Sequence, residues 1–175
     1  MKKILLLITV CLHLLLLSCG DSKNEESTKL IPGMMELSIK INGNNLLIMV
    51  PDSTNGKLNL IEQPWGATEI KVGVNYQLSI EEADGDIALI KSDISGNEVF
   101  KLTRYLKDEP SMLFWEAKNE NMPDPRFHFY LITKVGELNY VIKETENGDA
   151  YNEKSINTMI ISANTLKAKS LEKIN

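Results

Sequence analysis

Two cysteines and two histidines stand in 175 residues, and three of those four lie within the first nineteen positions. Neither G-x-x-x-x-G-K-[ST] nor G-x-G-x-x-G occurs, so no glycine loop for a phosphate can be read. G-x-S-x-G and H-E-x-x-H are missing too, which removes the common motif-bearing hydrolases but not enzymes in general. Positive charge is also short: 19 Lys+Arg against 24 Asp+Glu give −5, without the footprint that nucleic acid requires. What remains, 43% hydrophobic and 25% charged residues, is ordinary globular material of one-domain length, neither disordered nor collagen-like.

The one long apolar run is at the start. Lys2 and Lys3 precede Ile4–Leu17, almost wholly apolar, too short for a span of about 20 residues and right for a secretory core. Leu16-Leu17-Ser18-Cys19 follows and resembles a lipobox, the recognition site of bacterial lipoprotein signal peptides. The resemblance covers residues 1–19. It implies cleavage before Cys19, a diacylglyceryl thioether on its sulfur and acylation of the new amine. The lipid bilayer is then the first expected partner. Three acyl chains exceed the two hydrophobic signals that stable anchoring takes. Gly20 stands where an inner-membrane retention Asp would stand, which favours the outer membrane, with its periplasmic or surface face left open.

Processing would remove residues 1–18, with Cys11 and His13, and take the charge from −5 to −7. Cys19 would be a thioether. Disulfides, zinc thiolates and cysteine catalysis are thereby excluded, and His128 would be the remaining histidine. Residues 19–33 read as the lipidated Cys and a polar tether closing at Pro32-Gly33, reaching about 20 Å as flexible coil. Lys23-Asn24-Glu25-Glu26 resembles the acidic tags that send some Gram-negative lipoproteins to the surface; a solvated linker is the plainer reading.

Residues 34–175 form one expected domain. Alternation over Glu36–Ile41, Glu69–Val72 and Tyr76–Ile80, with Leu46–Val50 returning after the turn signal at Asn42-Gly43 and Leu58–Glu62 following that at Asn55-Gly56, predicts short antiparallel strands. Ile87, Ile90 and Ile94, then Val99, Leu102 and Leu106, recur at helical spacing. They predict one kinked helix or two short ones, capped at Asp84 and ending before Pro110. Met112–Ala117, Phe127–Lys134 and Leu138–Lys143 read as strands, the last two a hairpin across Val135-Gly136-Glu137. Asn152 caps a last helix with the stripe Ile156, Met159, Ile160, Ala163, Leu166 and a basic end at Lys167, Lys169 and Lys173. The class is α+β: a mostly antiparallel sheet with a central kinked helix and a C-terminal helix packed on it. The element order resembles the Mog1/PsbP fold, in which a central and a C-terminal helix flank such a sheet. The resemblance rests on order and brings no residue roles with it.

Few residues carry candidate chemistry. Glu81–Asp86 is acidic, but a calcium loop aligned on Gly85 has Ile80 first and Lys91 twelfth, so no metal is expected. Alternation puts Arg126, His128, Tyr130 and Ile132 on one strand face. His128 with Tyr130 is therefore a candidate general base in a sheet-face pocket, against plain packing beside Tyr130; no partner acid is identifiable by spacing. Trp65, between Pro64 and Gly66, is a binding anchor if exposed and a lid over the sheet end if not. Met122 tips a loop stiffened by Pro123 and Pro125 and suits partner contact as well as a plain connector. Trp115 is expected in the core. No catalytic residue is assigned and no cofactor is expected. The expectation is a membrane-anchored, non-enzymatic binding or accessory domain holding an envelope protein or small ligand. An envelope enzyme using His128 and an immunity-like protective lipoprotein are the alternatives.

Overall fold

The computed structural model describes residues 31–146 and 148–170. The signal segment, Cys19, most of the tether and Lys173 lie outside the described residues. Strands β1 (Met34–Ile41) and β2 (Asn44–Pro51) form a hairpin that turns on Asn42 and Gly43, both at positive φ. Asn-Gly is the pair that tolerates this backbone, so the turn residues set the register. β10 (Lys167–Ala168) adds to β2, making a three-stranded sheet in the order β1-β2-β10.

The larger sheet takes β3 (Leu58–Glu62), β4 (Thr68–Val72), β5 (Tyr76–Glu82), β6 (Lys101–Glu109), β7 (Met112–Lys118), β8 (Arg126–Val135) and β9 (Leu138–Glu144). Its spatial order is β3-β4-β5-β9-β8-β7-β6, antiparallel throughout. Helix α1 (Ile87–Gly96) follows β5, and α2 (Glu153–Ala163) follows β9. The α+β class and antiparallel sheet are as the patterning predicts. Among the described residues no helix is long and apolar enough to cross a membrane.

Two apolar layers divide the protein. On the inner face of the large sheet, Phe127, Phe129, Leu131 and Ile142 join Ile48 and Val50 of β2 and Ile156, Met159, Ile160 and Ala163 of α2. The predicted stripe of α2 is thus its buried face, and Asn152 caps it, its side chain accepting from the Ser155 amide at 2.9 Å. Tyr76 and Ser162 hydrogen-bond through their hydroxyls at 2.6 Å, and Ser162 donates to the Met49 carbonyl, joining α2 to both sheets. Burial pushes the Tyr76 phenol well above its usual pKa. The predicted basic helix end is corrected: α2 stops at Ala163, so Lys167 belongs to β10 and Lys169 follows it.

The predicted kinked helix is also corrected. α1 ends at Gly96, and residues 101–109 are the edge strand β6. The β6–β7 register shifts between Leu102 and Arg104 and again between Tyr105 and Lys107. An inserted residue moves same-face positions from two apart to three, so Leu102 and Tyr105 reach one face at a spacing that mimics a helix. The cap is Asp86, whose carboxylate accepts from the Ala88 and Leu89 amides at 2.8 and 3.0 Å; Asp84 instead accepts from Asn139.

Candidate functional site in the outer-face cleft

The outer face of the large sheet is only partly covered. Ile87, Ile90 and Ile94 of α1 rest on Leu113, Tyr130, Val141 and Ile132. Gly85, at φ +70, brings the chain so close to β8 that a Cβ there would stand 2.8 Å from Ile132 Cδ1. Lys91 of α1 pairs with Asp108 of β6. Beyond the last turn of α1 the sheet opens into a cleft of about 330 Å³, walled by Ile90, Ile94, Phe100 and Trp115 and containing His128, Tyr130 and Glu144.

His128 is held from three sides. Trp115, its cross-strand partner, stacks on it with ring centroids 5.3 Å apart and planes 25° apart. Tyr151 packs at 5.3 Å from another direction. Nδ1 meets Glu144 Oε1 at 2.7 Å, while Glu144 Oε2 accepts the Phe129 amide at 3.0 Å. Nε2 makes no hydrogen bond among the described residues and is not a buried orphan, so it is left for solvent or a ligand.

Glu144 is where the β8–β9 ladder ends. Pairing runs from Val135↔Leu138 to Tyr130↔Lys143 and stops. The next β8 amide, Phe129, goes to the Glu144 carboxylate, and Phe127 donates to the Tyr151 carbonyl at 2.8 Å. A side chain thus replaces a strand as acceptor, and the separation of the strands there makes room for the imidazole. Arg126 closes the rim, its guanidinium 4.8 Å from the Phe100 ring and 4.6 Å from that of Tyr151. Burial raises the pKa of both Tyr130 and Tyr151, so both phenols are neutral donors at neutral pH.

A second cleft, about 390 Å³, lies on the other side of Lys143, with Trp65, Glu69, Ser79, Glu81 and Thr145 in its lining; the two share Lys143, Glu144 and Glu146. Trp65 is 69% exposed, at the tip of a turn in which the Gly66 amide donates to the Gln63 carbonyl.

Compared with protein-family models, curated proteins and solved structures, the chain matches none. The reading of the site therefore stands on its geometry.

The structure keeps His128 and Tyr130 on one face of β8, with Tyr130 beneath α1 and His128 in the cleft beyond it, and supplies an acid, Glu144, that spacing alone does not identify. Trp115 is corrected: it is half-buried in the wall of the cleft, not core, because its strand face continues past the end of α1. Trp65 does not fold over the sheet. Met122 is half-buried in its loop, with its amide donating to the Asn119 carbonyl, and lines neither cleft. Cys19 lies outside the described residues. Among those described, no group of three or more His, Cys, Asp or Glu is placed to hold a metal ion. The signal that could have revealed Glu144 is the hairpin itself. A two-residue turn at Gly136-Glu137 puts residue 144 opposite 129, one step from His128.

Proposed function

We propose that the protein is a lipid-anchored lipoprotein of the bacterial cell envelope, held at the outer membrane through Cys19, whose domain binds a small ligand in the outer-face cleft without transforming it. The anchor rests on the lipobox-like Leu16–Cys19, and the likeness to the Mog1/PsbP fold on the order of elements read from the sequence. One observation carries the binding reading: the cleft around His128 is preformed and aromatic-walled, and its lining contains no Ser, Thr or Cys to serve as a nucleophile. This moves the expected contacts from the loop tips at Trp65 and Met122 to the sheet face, with Trp65 at its margin. A second reading, acid–base catalysis, is favoured by the His128–Glu144 pair, since an imidazole oriented at Nδ1 with Nε2 unpartnered is the arrangement of a general base.

Native mass spectrometry of the lipidated protein, extracted from envelopes in mild detergent, tests both. The expected result is an added small-molecule mass, stable on storage, that is lost in Asp93→Trp, which fills the cleft mouth. A mass that is converted over time by wild type but not by His128→Gln would put the enzyme first. The anchor is tested separately: Cys19→Ser should abolish labelling with a clickable fatty acid, because a hydroxyl cannot replace the accepting thiolate, and equal labelling would overturn it.

A further inference from the structure

A cavity of about 300 Å³ lies at the first turns of α2 and shares no residue with the two outer-face clefts. Pro51, Val72 and Tyr76 form its apolar wall. No Asp or Glu lines it, although the chain carries 24 acids against 19 Lys and Arg. Ser155, on its polar side, is 5% exposed. The Ser155 amide donates to the Asn152 cap, but its hydroxyl has no hydrogen bond among the described residues. That hydroxyl is not sealed away: it is absent from the fully enclosed, unpartnered polar atoms, which are those of Gln77 and Thr145, so it keeps surface where Ser155 lines the cavity. A hydroxyl on so buried a side chain, open on one side and unused by the chain, points to a partner from outside.

The groups around that hydroxyl are donors. Lys154 lines the same cavity, and its ammonium has no ion pair among the described residues. The first two amides of α2, those of Glu153 and Lys154, donate to nothing among the described residues, and a helix N-terminus carries partial positive charge. Asn75, also in the lining, has an unpartnered carboxamide. Neighbouring acids do not cancel this: Asp52 accepts from Thr54 and Asn55, and Glu153 does not line the cavity. We infer that the cavity binds a phosphate group, its oxygens accepting from the Ser155 hydroxyl, the open end of α2 and Asn75, with Lys154 supplying charge. A phosphate brings three acceptor oxygens to these donors and a carboxylate two. Met34 pairs with Pro51 in the cavity wall, and the Asp52 amide donates to the Gly33 carbonyl, so the tether predicted from the sequence joins the domain at this end. A lipid headgroup is therefore as close a source of the phosphate as free solute. The outer-face cleft plays no part in this site, so neither reading depends on the other.

The protein purified from envelopes in non-ionic detergent, and dialysed free of phosphate, is titrated calorimetrically. The probes are inorganic phosphate, glycerophosphoglycerol as a soluble phosphodiester headgroup, and acetate at matched ionic strength. Saturable one-site binding of phosphate or of the diester is expected, with acetate at least tenfold weaker, and the tighter of the two names the source. Ser155→Ala should weaken that binding at least fivefold yet melt no lower than wild type, because it deletes an unused hydroxyl and breaks no bond. Lys154→Glu should weaken it at least tenfold and still fold, since an acid in the first turn suits the helix dipole. Lys107→Glu, the same charge change on exposed edge strand β6, should leave binding unaltered. Four results would each overturn the assignment. They are no binding of either phosphate, acetate binding as tightly, a Lys107→Glu loss equal to that of Lys154→Glu, and a Ser155→Ala protein that binds as wild type or melts well below it.

Discussion

Glu144 and His128 meet at 2.7 Å because β8 and β9 part company at that point, and the carboxylate that bridges the gap also caps the open end of the ladder through the Phe129 amide. Structure and site are therefore coupled: the residue that orients the imidazole is the one that terminates the sheet.

Glu144→Ala should cost more stability than His128→Ala. The first leaves the buried Phe129 amide without an acceptor, a penalty of about 1–3 kcal/mol; the second removes a ring that is 17% exposed and leaves that bond intact. Urea denaturation of both variants checks the order, and a costlier His128→Ala would contradict it.

Ser162→Ala should destabilise the protein by about 2 kcal/mol, since Tyr76 and Met49 both lose a partner in a fully buried position. Combining it with Tyr76→Phe should cost less than the two single changes added together, because the second change removes the hydroxyl that the first had orphaned. Strict additivity would show that the two hydroxyls do not act as a pair.

Alkaline pH should unfold the protein. Burial raises the folded-state pKa of Tyr76, Tyr130, Tyr140 and Tyr151, so the folded state holds those protons more tightly than the unfolded chain, whose phenols titrate near 10. Their contribution is fully present below about pH 10 and is lost as pH rises above it toward the folded values. Tyrosinate absorbance should therefore rise together with loss of far-ultraviolet circular dichroism. Complete tyrosine titration in a protein that keeps its circular dichroism would refute this.

Trp65→Ala should leave the melting temperature unchanged, because a side chain 69% exposed contributes little burial. Ligand or partner capture should weaken by about 2 kcal/mol, roughly thirtyfold, as loss of an aromatic anchor does. Surface plasmon resonance against the identified ligand measures the latter; unchanged affinity would remove Trp65 from the site.

Gly85→Ala should loosen α1. The backbone there is at φ +70, and the added Cβ would press on Ile132 and Tyr130, for a cost of about 1 kcal/mol or more. Hydrogen exchange should accelerate in residues 87–96 and not in α2. Unaltered exchange in α1 would mean that the close approach does not hold the helix down.

The α+β class, eight of the ten described strands and the start of α2 were legible because local physics dictates them. Alternation in Tyr76–Ile80, the two-faced apolar run of Phe127–Lys134, the Asn42-Gly43 turn and the Asn152 cap are decided by neighbours a few residues apart. β6 itself was lost within a helix, since its two bulges convert a period of two into a spacing near three, and only pairing with β7 reveals them. Sequence also marked His128 as the chemically distinctive residue and put it on the right strand face. What it did not determine was the company His128 keeps. By alternation Glu144 belongs to the inner face with Ile142; it reaches His128 only because the ladder ends and its side chain turns into the seam. Trp115 looked like core because nothing local says that α1 stops short of it. Periodicity fixes which side of a strand a residue takes, whereas where a helix stops covering that side, and where two strands separate, depend on contacts between segments far apart in the chain.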